Sequence, residues 1–389
     1  MLLVFLLVLA YLAYGVLEYR LHLRNLRSVP IRVHVNGTRG KSSVTRLIAA
    51  GLRAGGFRTV AKTTGSAARY IGPDGSEEPV IRPGPPNIRE QLSVVSRARR
   101  DGAQALVVEC MALRPELQRI SEQKIVMSTV GVITNARPDH LDVMGPTVED
   151  VARALAGTVP RGHAVFTAEE SRLGPLREAA KARSSELHVV RPKDDEGDEA
   201  KGFRYVEHLE NVVLALAVCE HVGVPREKAL EGMRGATPDP GALTIHRVRE
   251  GDKEIEFINA FAANDRESTA AVWRAIDPRS EPGRDVIVVA AMRADRPDRA
   301  NQFGEILAKD LDADHYILAG GLTSPVRSGA LKLGVASEKL TDMGGRKAPE
   351  IYDRILEFTG TRSIVVGVGN IGGTGGELVS LFKARSEGT

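Results

Sequence analysis

The longest run of hydrophobic positions lies at the start of the chain. Residues 1–17, MLLVFLLVLAYLAYGVL, carry no charged side chain. As a helix they would rise about 26 Å, close to the ~30 Å hydrocarbon core of a bilayer. The run is apolar on every side, which favours a membrane span over the buried helix of a soluble core, and Tyr11 and Tyr14 suit an interfacial belt. We therefore predict a single-pass transmembrane anchor.

The charges beside this segment predict its orientation. The basic residues all follow it: Arg20, Arg24, Arg27 and Arg32. Because positive charge is retained on the cytoplasmic side, the catalytic part is expected in the cytoplasm, below the cell membrane. A cleavable signal peptide is the alternative; small residues near Gly15 permit it, but the basic segment that should precede the apolar run is missing. Residues 1–28 are thus interpreted as an anchor with a basic flank.

From Ile31 onward, short β-branched runs alternate with helical patterns, which is typical of an α/β fold with parallel sheets. The first series has strand-like runs at 31–35, 105–110, 131–135 and 163–167, and helical patterns at about 42–54, 87–101, 147–158 and 209–222. After the breaker PDPG at 238–241, a second series has strand-like runs at 254–260, 285–291, 315–320 and 363–369. We predict a central parallel-sheet domain over 29–240 and a smaller, doubly wound α/β domain over 241–389.

A glycine-containing loop follows the first strand-like run. It comprises Asn36, Gly37, Thr38, Arg39, Gly40, Lys41, Ser42 and Ser43, and a helical pattern comes next. In such a loop the backbone N–H groups face phosphates, Lys41 supplies a positive charge and Ser42 a hydroxyl for Mg²⁺. The full G-x-x-x-x-G-K-[ST] spacing is not met, since Val35 occupies its first glycine position. The strand, loop and helix context predicts a nucleotide-phosphate site, with an accidental glycine turn as the alternative.

Two more polar residues stand at strand ends. Glu109 ends the apolar run ALVVEC, and His140 lies in NARPDHLD, just past GVITN. Ligands of open α/β sheets collect at the carboxyl ends of the strands. Ser42, Glu109 and His140 are therefore expected to converge on one magnesium-phosphate site. Alone, each has a plainer interpretation: a surface or capping histidine, or a glutamate in a loop salt bridge.

Composition narrows the choice of function. The 53 Lys and Arg nearly balance the 50 Asp and Glu, giving a net charge of +3, and aromatic residues are only 4% of the chain. This argues against a nucleic-acid binder, which needs a basic surface or stacking platforms. Two cysteines, Cys110 and Cys219, are too few for a disulfide framework or a cysteine zinc site.

Together these motifs resemble a known group of enzymes. The loop G-T-R-G-K-S, the segment Thr63-Thr64-Gly65, the strand-end Glu109 and the N-x-x-x-D-H-L-D element are similar to the Mur ligase superfamily. More narrowly, HVNGTRGKSS, VVECMAL, NARPDHLDVMG and PDPGAL look like the PgsB/CapB family of poly-γ-glutamate synthase ligase subunits. The similarity runs over nearly the whole chain, and it is the combination of motifs that is specific.

The resemblance implies an ATP-dependent carboxylate–amine ligase that polymerises glutamate through an acyl phosphate. By position, Lys41 would hold the β- and γ-phosphates, Ser42 and Glu109 one Mg²⁺, and His140 a second metal. Phosphoryl transfer relies on positioning and charge neutralisation, which these residue types can supply. The family also implies small membrane subunits that assist polymer export as partners.

Weaker matches extend the expected nucleotide site. Asn211 stands where the family has an adenine-contacting Asn, although Asn is also a frequent helix N-cap. Asn259 and Asn264 resemble a C-terminal segment that closes over the nucleotide. Two family features are missing: residues 150–162 contain no Lys to be carbamylated, and Gly241-Ala242-Leu243 stands where several members have a linker Arg.

The substrate side is expected to carry cations, since an arginine fork suits a carboxylate. The cationic candidates are Arg82, Arg89 and Arg293, and Thr64 and Asp295 are further candidate substrate contacts. For the arginines a solvated turn or a surface ion pair is the alternative. Gly367, Gly369 and Gly372 match G-x-G-x-x-G, but too little chain follows for a dinucleotide fold, so we interpret them as a tight strand-to-helix turn.

Two other functions remain open at this stage. One is a ligase acting on another carboxylate, such as folate or a cell-wall precursor; the predicted anchor argues against a soluble metabolite. The other is a membrane-tethered P-loop ATPase switch, which would normally keep the full Walker A spacing and lack D-H-L-D.

Overall fold

The computed structural model describes residues 1–389 except 65–67, 83, 194–198, 200, 204–206, 239–242, 264–265, 294–296 and 387–389. The chain folds into two units. The first comprises Met1–Phe203 and Glu207–Asp239, and the second Pro240–Thr389 with Arg204–Val206.

The chain begins with one long helix, α1 (Leu2–Arg27). It is the one helix within the described residues that is long and apolar enough to cross a membrane, and its most apolar window is 0% buried in the protein. Its last part behaves differently, because His22 and Leu26 are buried. Leu26 packs with Val29 in a core cluster of the first unit. A single helix thus has an exposed apolar part and a docked end.

The first unit is built on an eight-stranded sheet in the order β4-β3-β2-β5-β1-β6-β7-β8. Its strands are β1 (Ile31–Asn36), β2 (Thr59–Lys62), β3 (Arg69–Ile71), β4 (Glu77–Pro79), β5 (Ala105–Glu109), β6 (Val130–Ile133), β7 (Ala164–Thr167) and β8 (Glu186–Val189). The six neighbouring strands β2, β5, β1, β6, β7 and β8 are parallel to one another. Beside β2, strand β3 runs antiparallel to β2, and β4 runs antiparallel to β3.

Helices connect and cover these strands. They are α2 (Lys41–Ala54), α3 (Glu90–Arg100), α4 (Pro115–Ile120), α5 (Leu141–Met144), α6 (Val148–Leu155), α7 (Leu173–Ala182), α8 (Leu209–Val222) and α9 (Arg226–Arg234). The apolar runs of the central strands, such as Val33 and Val35, are fully buried against Leu47 and Ile48 of α2. Burial on both faces explains why these strands are continuous apolar runs rather than alternating ones.

The second unit contains a six-stranded sheet in the order β13-β12-β11-β14-β10-β9. Its elements are β9 (Thr244–Glu250), β10 (Lys253–Ala260), α10 (Arg266–Ile276), β11 (Asp285–Met292), α11 (Pro297–Lys309), β12 (His315–Gly320), α12 (Thr323–Lys332), β13 (Leu340–Gly344), α13 (Ala348–Phe358), β14 (Arg362–Gly369) and α14 (Thr374–Ser386). All neighbours are parallel except β9, which pairs antiparallel with β10.

The predicted α/β class with parallel sheets is confirmed. The eight predicted strand-like runs are strands, with ends shifted by a residue or two, and the helix predicted at 209–222 is α8. The helix predicted at 87–101 starts later, at Glu90, because residues 88–89 form a turn. The G-x-G-x-x-G segment is the turn between β14 and α14, where Gly369 has φ +103° and the Gly372 amide donates to Asn370 Oδ1 at 2.7 Å.

Candidate active site

The glycine loop joins the end of β1 to the start of α2. Gly37 has φ +135° and Gly40 has φ +79°, values that glycine tolerates best. A Cβ on Gly37 would lie 1.9 Å from Thr134 Oγ1, and one on Gly40 would lie 2.6 Å from Asn211 Oδ1. The loop therefore needs glycine at both positions, and it presents its amides at the N-terminus of α2, where an anion is favoured.

Residues after β6 hold this loop in place. The Thr38 hydroxyl donates to Asn135 Oδ1 at 2.6 Å, and the Arg39 amide donates to the same oxygen at 3.1 Å. The Thr134 hydroxyl donates to the Arg39 carbonyl at 2.6 Å. Sequence reasoning assigned no role to Thr134 or Asn135. The signal available was a pair of polar residues at the carboxyl end of a buried strand.

The Lys41 ammonium folds back over the loop. Its Nζ donates to the Gly37 carbonyl at 2.7 Å and to the Thr38 carbonyl at 3.2 Å. Both acceptors belong to the loop itself, so the positive charge is held against the loop.

Ser42 and Glu109 come together as predicted, across the neighbouring strands β1 and β5. The Ser42 hydroxyl donates to Glu109 Oε2 at 2.8 Å, and the Thr64 amide donates to the same oxygen at 2.7 Å. The Glu109 side chain is buried. Its hydrogen-bond donors here are neutral, and carboxylate and hydroxyl oxygens are the atoms that hard divalent cations prefer. These two side chains therefore fit a magnesium ion.

His140 lies beyond β6, at the N-cap of α5 with φ +45°. Its Nε2 is 3.9 Å from Asp139 Oδ1. Among the described residues, no group of three or more His, Cys, Asp or Glu side chains is close enough to hold a metal ion. The convergence of His140 on the Ser42–Glu109 pair, and its role at a second metal, stay predictions.

Asn211 lies in the first turn of α8. The N-cap of that helix is His208, so the capping interpretation of Asn211 is wrong. Its Nδ2 donates to Glu207 Oε1 at 2.9 Å, while its Oδ1 faces Gly40 of the phosphate loop. The position beside the loop is compatible with a nucleotide contact, which stays a prediction.

In the second unit, Asn259 is near the end of β10 and is buried. Its Nδ2 donates to Thr244 Oγ1 at 3.3 Å, and its Oδ1 accepts from the Phe261 amide at 3.3 Å. Arg293 follows β11 directly and is half-buried. Asn264 and Asp295 lie outside the described residues. The nucleotide and substrate roles assigned to these four positions stay predictions.

A second carboxylate, Glu90, lies near the same sheet edge. Lys62 Nζ is 2.6 Å from Glu90 Oε1, and the Arg82 guanidinium donates to both carboxylate oxygens, at 2.6 and 3.2 Å. The Lys62 side chain is fully buried at the end of β2. Burial lowers the pKa of Lys62, against the opposing pull of Glu90 and Glu109. Sequence reasoning missed Lys62 and Glu90, because their pairing depends on the strand order.

The pKa of Glu90 is lowered overall. Burial raises it, but the hydrogen bonds and charges of Arg82 and Lys62 outweigh that effect. Arg89 instead pairs with Glu18 of α1, at 2.9 Å, and is exposed. Of the candidate arginines, Arg82 and Arg89 are thus bound to carboxylates of the chain itself, and their substrate roles stay predictions.

Comparison with known proteins shows which family the chain belongs to. Residues 35–220 match the Mur ligase middle domain, and residues 245–385 match the poly-gamma-glutamate synthase CapB C-terminal domain. A bifunctional folylpolyglutamate synthase/dihydrofolate synthase from Yersinia pestis, solved with AMPPNP and a manganese ion, has the same fold. Its TM-score is 0.70 at 16% identity, covering 94% of this chain and 92% of that one.

Two relatives are much more similar in sequence. The capsule biosynthesis protein CapB of Bacillus anthracis is 38% identical over 96% of this chain and 81% of its own. The PGA synthase CapB of Bacillus subtilis (strain 168) is 37% identical over 95% of this chain and 94% of its own. Similarity at this level over nearly the full length means that the chain belongs to the CapB family of poly-γ-glutamate synthases, within the Mur ligase superfamily.

Proposed function

We propose that this chain is an ATP-dependent acid–amino-acid ligase that polymerises glutamate into poly-γ-glutamate. The observation that carries the proposal is the phosphate loop beside the Ser42–Glu109 pair. The names of the two CapB relatives support the polymer as the product. The solved structure with AMPPNP supports a nucleotide as the co-substrate.

The reaction has two steps. An oxygen of the γ-carboxylate attacks the γ-phosphorus of ATP, the bond to ADP breaks, and an acyl phosphate forms. The amino nitrogen of the incoming glutamate then attacks the acyl carbon, phosphate leaves, and the nitrogen loses a proton to give the amide. Both steps gather negative charge at phosphate oxygens, so the protein contributes mainly by position and charge.

The residues of the loop supply that contribution. The amides around Gly40 and the N-terminus of α2 bind the phosphates, and Lys41 turns from the loop carbonyls to the β- and γ-oxygens. Ser42 and Glu109 would hold Mg²⁺, which supplies positive charge to the phosphate oxygens when bound. The neutral donors to Glu109 keep its carboxylate aimed at that position. His140, Asn211, Asn259 and Asn264 are expected to complete the metal and nucleotide contacts.

The same proposal places the enzyme at the cell membrane. Helix α1 would cross the bilayer once and leave both α/β units in the cytoplasm, where ATP is available. Its length and composition support this, as does the basic flank that follows residue 17. Small membrane subunits of a polymer synthase are expected partners, and nucleic acid is not.

Nucleotide products test the reaction. The detergent-solubilised protein, given ATP, Mg²⁺ and labelled glutamate, should release ADP and phosphate only when glutamate is present, and should yield labelled polymer. Formation of AMP and pyrophosphate would mean adenylation instead. Phosphate release that is indifferent to glutamate would overturn the ligase and favour an ATPase switch. Labelling of added folate instead of polymer would change the substrate.

Lys41→Ala tests the loop within the same assay. Removing the ammonium should lower turnover by about 10³-fold, because it leaves phosphate charge unbalanced in the transition state. Lys228→Ala, on the exposed side of α9, is the matched control that should keep full activity. Normal polymer formation by Lys41→Ala would remove the assignment of the phosphate loop.

A further inference from the structure

The docked end of α1 has a defined direction relative to α3. Glu18 of α1 pairs with Arg89, at the start of α3, at 2.9 Å. Seven residues further along α1, Asn25 Oδ1 accepts a hydrogen bond from Arg99, in the last turn of α3, at 2.9 Å. The two helices therefore run side by side in the same direction, with residue 18 level with the first turn of α3.

Helix α3 in turn has a defined direction relative to the sheet. Its first residue, Glu90, binds Lys62 at the carboxyl end of β2, and Gln91 donates to the carbonyl of Glu109 at the carboxyl end of β5, at 3.3 Å. At its other end, the Asp101 carbonyl accepts from Arg58, which directly precedes β2, at 2.5 Å. The start of α3 thus lies at the carboxyl edge of the sheet, and its end lies at the amino edge.

The chain connection agrees with this direction. Helix α1 ends at Arg27, and β1 begins only four residues later, at Ile31, on the amino edge of the sheet. Following α1 backwards from there leads along the sheet to Glu18 at the carboxyl edge. Residues 1–17 therefore continue beyond the edge that carries Ser42 and Glu109, over a further ~26 Å.

We propose that the carboxyl edge of the first unit's sheet, at the start of α3, faces the bilayer, and that residues 81–82 and 84–89 lie against lipid headgroups. This rests on the membrane span proposed for α1. If that span ends near residue 17, the membrane surface is level with Arg89 and with the Lys62–Glu90 pair. The start of α3 is then at the membrane surface, and the amino edge of the sheet is turned to the cytoplasm.

The surface at this level suits headgroups. Ile81 is 87% exposed, and Arg89, just before α3, is exposed as well. A groove of about 580 Å³ runs between α1 and Arg89. Among the residues that line it, Glu18, Tyr19 and Arg20 lie at this level, and Tyr14 lies about one turn further into the proposed span. Tyrosine at the interface and arginine beside anionic phosphate are the residues that this region of a membrane favours.

Fluorescence quenching in nanodiscs of phosphatidylcholine and phosphatidylglycerol tests this orientation. Single cysteines are placed at exposed positions on opposite edges: Ile81→Cys or Pro86→Cys on the carboxyl edge, and His163→Cys just before β7 on the amino edge. The native Cys110 and Cys219 are buried and should react little with the label. Each labelled protein is mixed with lipids that carry a spin label on the headgroup.

We expect most of the fluorescence to be lost at position 81 and at position 86, and to be retained at position 163. Equal quenching at both edges, or stronger quenching at 163, would overturn the orientation while leaving the anchor intact. Flotation of the full-length protein with liposomes is the separate readout for the anchor. A protein that fails to float would overturn the span itself, and this inference with it.

Discussion

Two carboxylates at one edge of the first sheet have opposite surroundings. Glu109 receives hydrogen bonds from a hydroxyl and a backbone amide, both neutral. Glu90 is held between the Lys62 ammonium and the Arg82 guanidinium. Both are at least largely buried, so in each case the negative charge must be balanced by something close to it.

The difference separates two kinds of site. The charge of Glu90 is balanced inside the chain, which suits a residue that fixes the start of α3 and the loop before it. Among the described residues, the hydrogen-bond donors to Glu109 are neutral, and Lys62 is close enough to attract its charge. That arrangement suits a residue that receives a cation from outside. Substitutions at the two positions should therefore affect different properties of the protein.

The largest effect is expected from Glu109→Gln. The amide oxygen can still accept from Ser42 and Thr64, so the fold should persist, but the ligand charge is gone. Glutamate-dependent ADP formation should fall by about 10²-fold or more, with the unfolding midpoint nearly unchanged. A large loss of stability with activity retained in the folded fraction would make Glu109 a structural residue like Glu90, and would remove the contrast.

The next largest effect is expected from Glu90→Gln, which should lower the stability of the protein. Removing one member of a buried pair leaves Lys62 uncompensated, at a cost of about 3 kcal/mol in the free energy of unfolding. Urea denaturation of the detergent-solubilised protein measures it. The double variant Lys62→Met with Glu90→Gln is the control, and should recover part of the loss because the buried ammonium is removed together with its partner carboxylate. A double variant as unstable as the sum of both singles would argue against the pair.

The dependence of stability on acidic pH should also report on the Lys62–Glu90 pair. The pKa of Glu90 is lowered by its cationic partners from its ordinary 4.5, so the folded protein binds that proton less readily than the unfolded chain does. The pair therefore stabilises the fold above about pH 4.5, and this contribution is lost as the pH falls through the lower, folded pKa. Unfolding followed against pH should show a shallower acid decline in Glu90→Gln than in the unchanged protein.

The smallest effect is expected from Arg89→Ala. Its ion pair with Glu18 is exposed on both sides, so the stability change should stay within about 0.5 kcal/mol. Arg82→Ala, on the partly buried side of the same loop, is the matched comparison and should cost more. If the two variants were equal in unfolding experiments, burial would not be what distinguishes the Glu90 cluster.

The parts of the site that the sequence predicted are local or lie at strand ends. Lys41 and Ser42 follow a strand within a few residues, and Glu109 stands out as a carboxylate ending an apolar run. Once the sheet is known to be parallel, the carboxyl ends of β1 and β5 must lie at the same edge, and the structure shows that these two strands are neighbours. That rule predicted that Ser42 and Glu109 lie at one edge, and their direct hydrogen bond is what the structure adds.

The missed parts depend on strand order and on side-chain direction. Lys62 could not be paired with Glu90 before β2 was known to lie beside β5. The roles of Thr134 and Asn135 need the register that brings the end of β6 beside the phosphate loop. The partner of Arg89 lies in the first helix, 71 positions away. The capping alternative for Asn211 failed for a smaller reason, since α8 begins two residues before it.

Helix α1 has an exposed apolar part and an end that packs in the core, and this affects how the protein can be truncated. Leu26 and Val29 belong to the same buried cluster as Val94 and Val95 of α3. A truncated protein that starts after Arg27 would lose Leu26 and uncover its apolar neighbours, which invites aggregation. One that starts at Glu18 would keep the docked turns and drop only the apolar stretch. A truncated form that lacks the apolar stretch should therefore start at Glu18 rather than after the end of the helix, because the last turns of α1 pack in the core of the first unit.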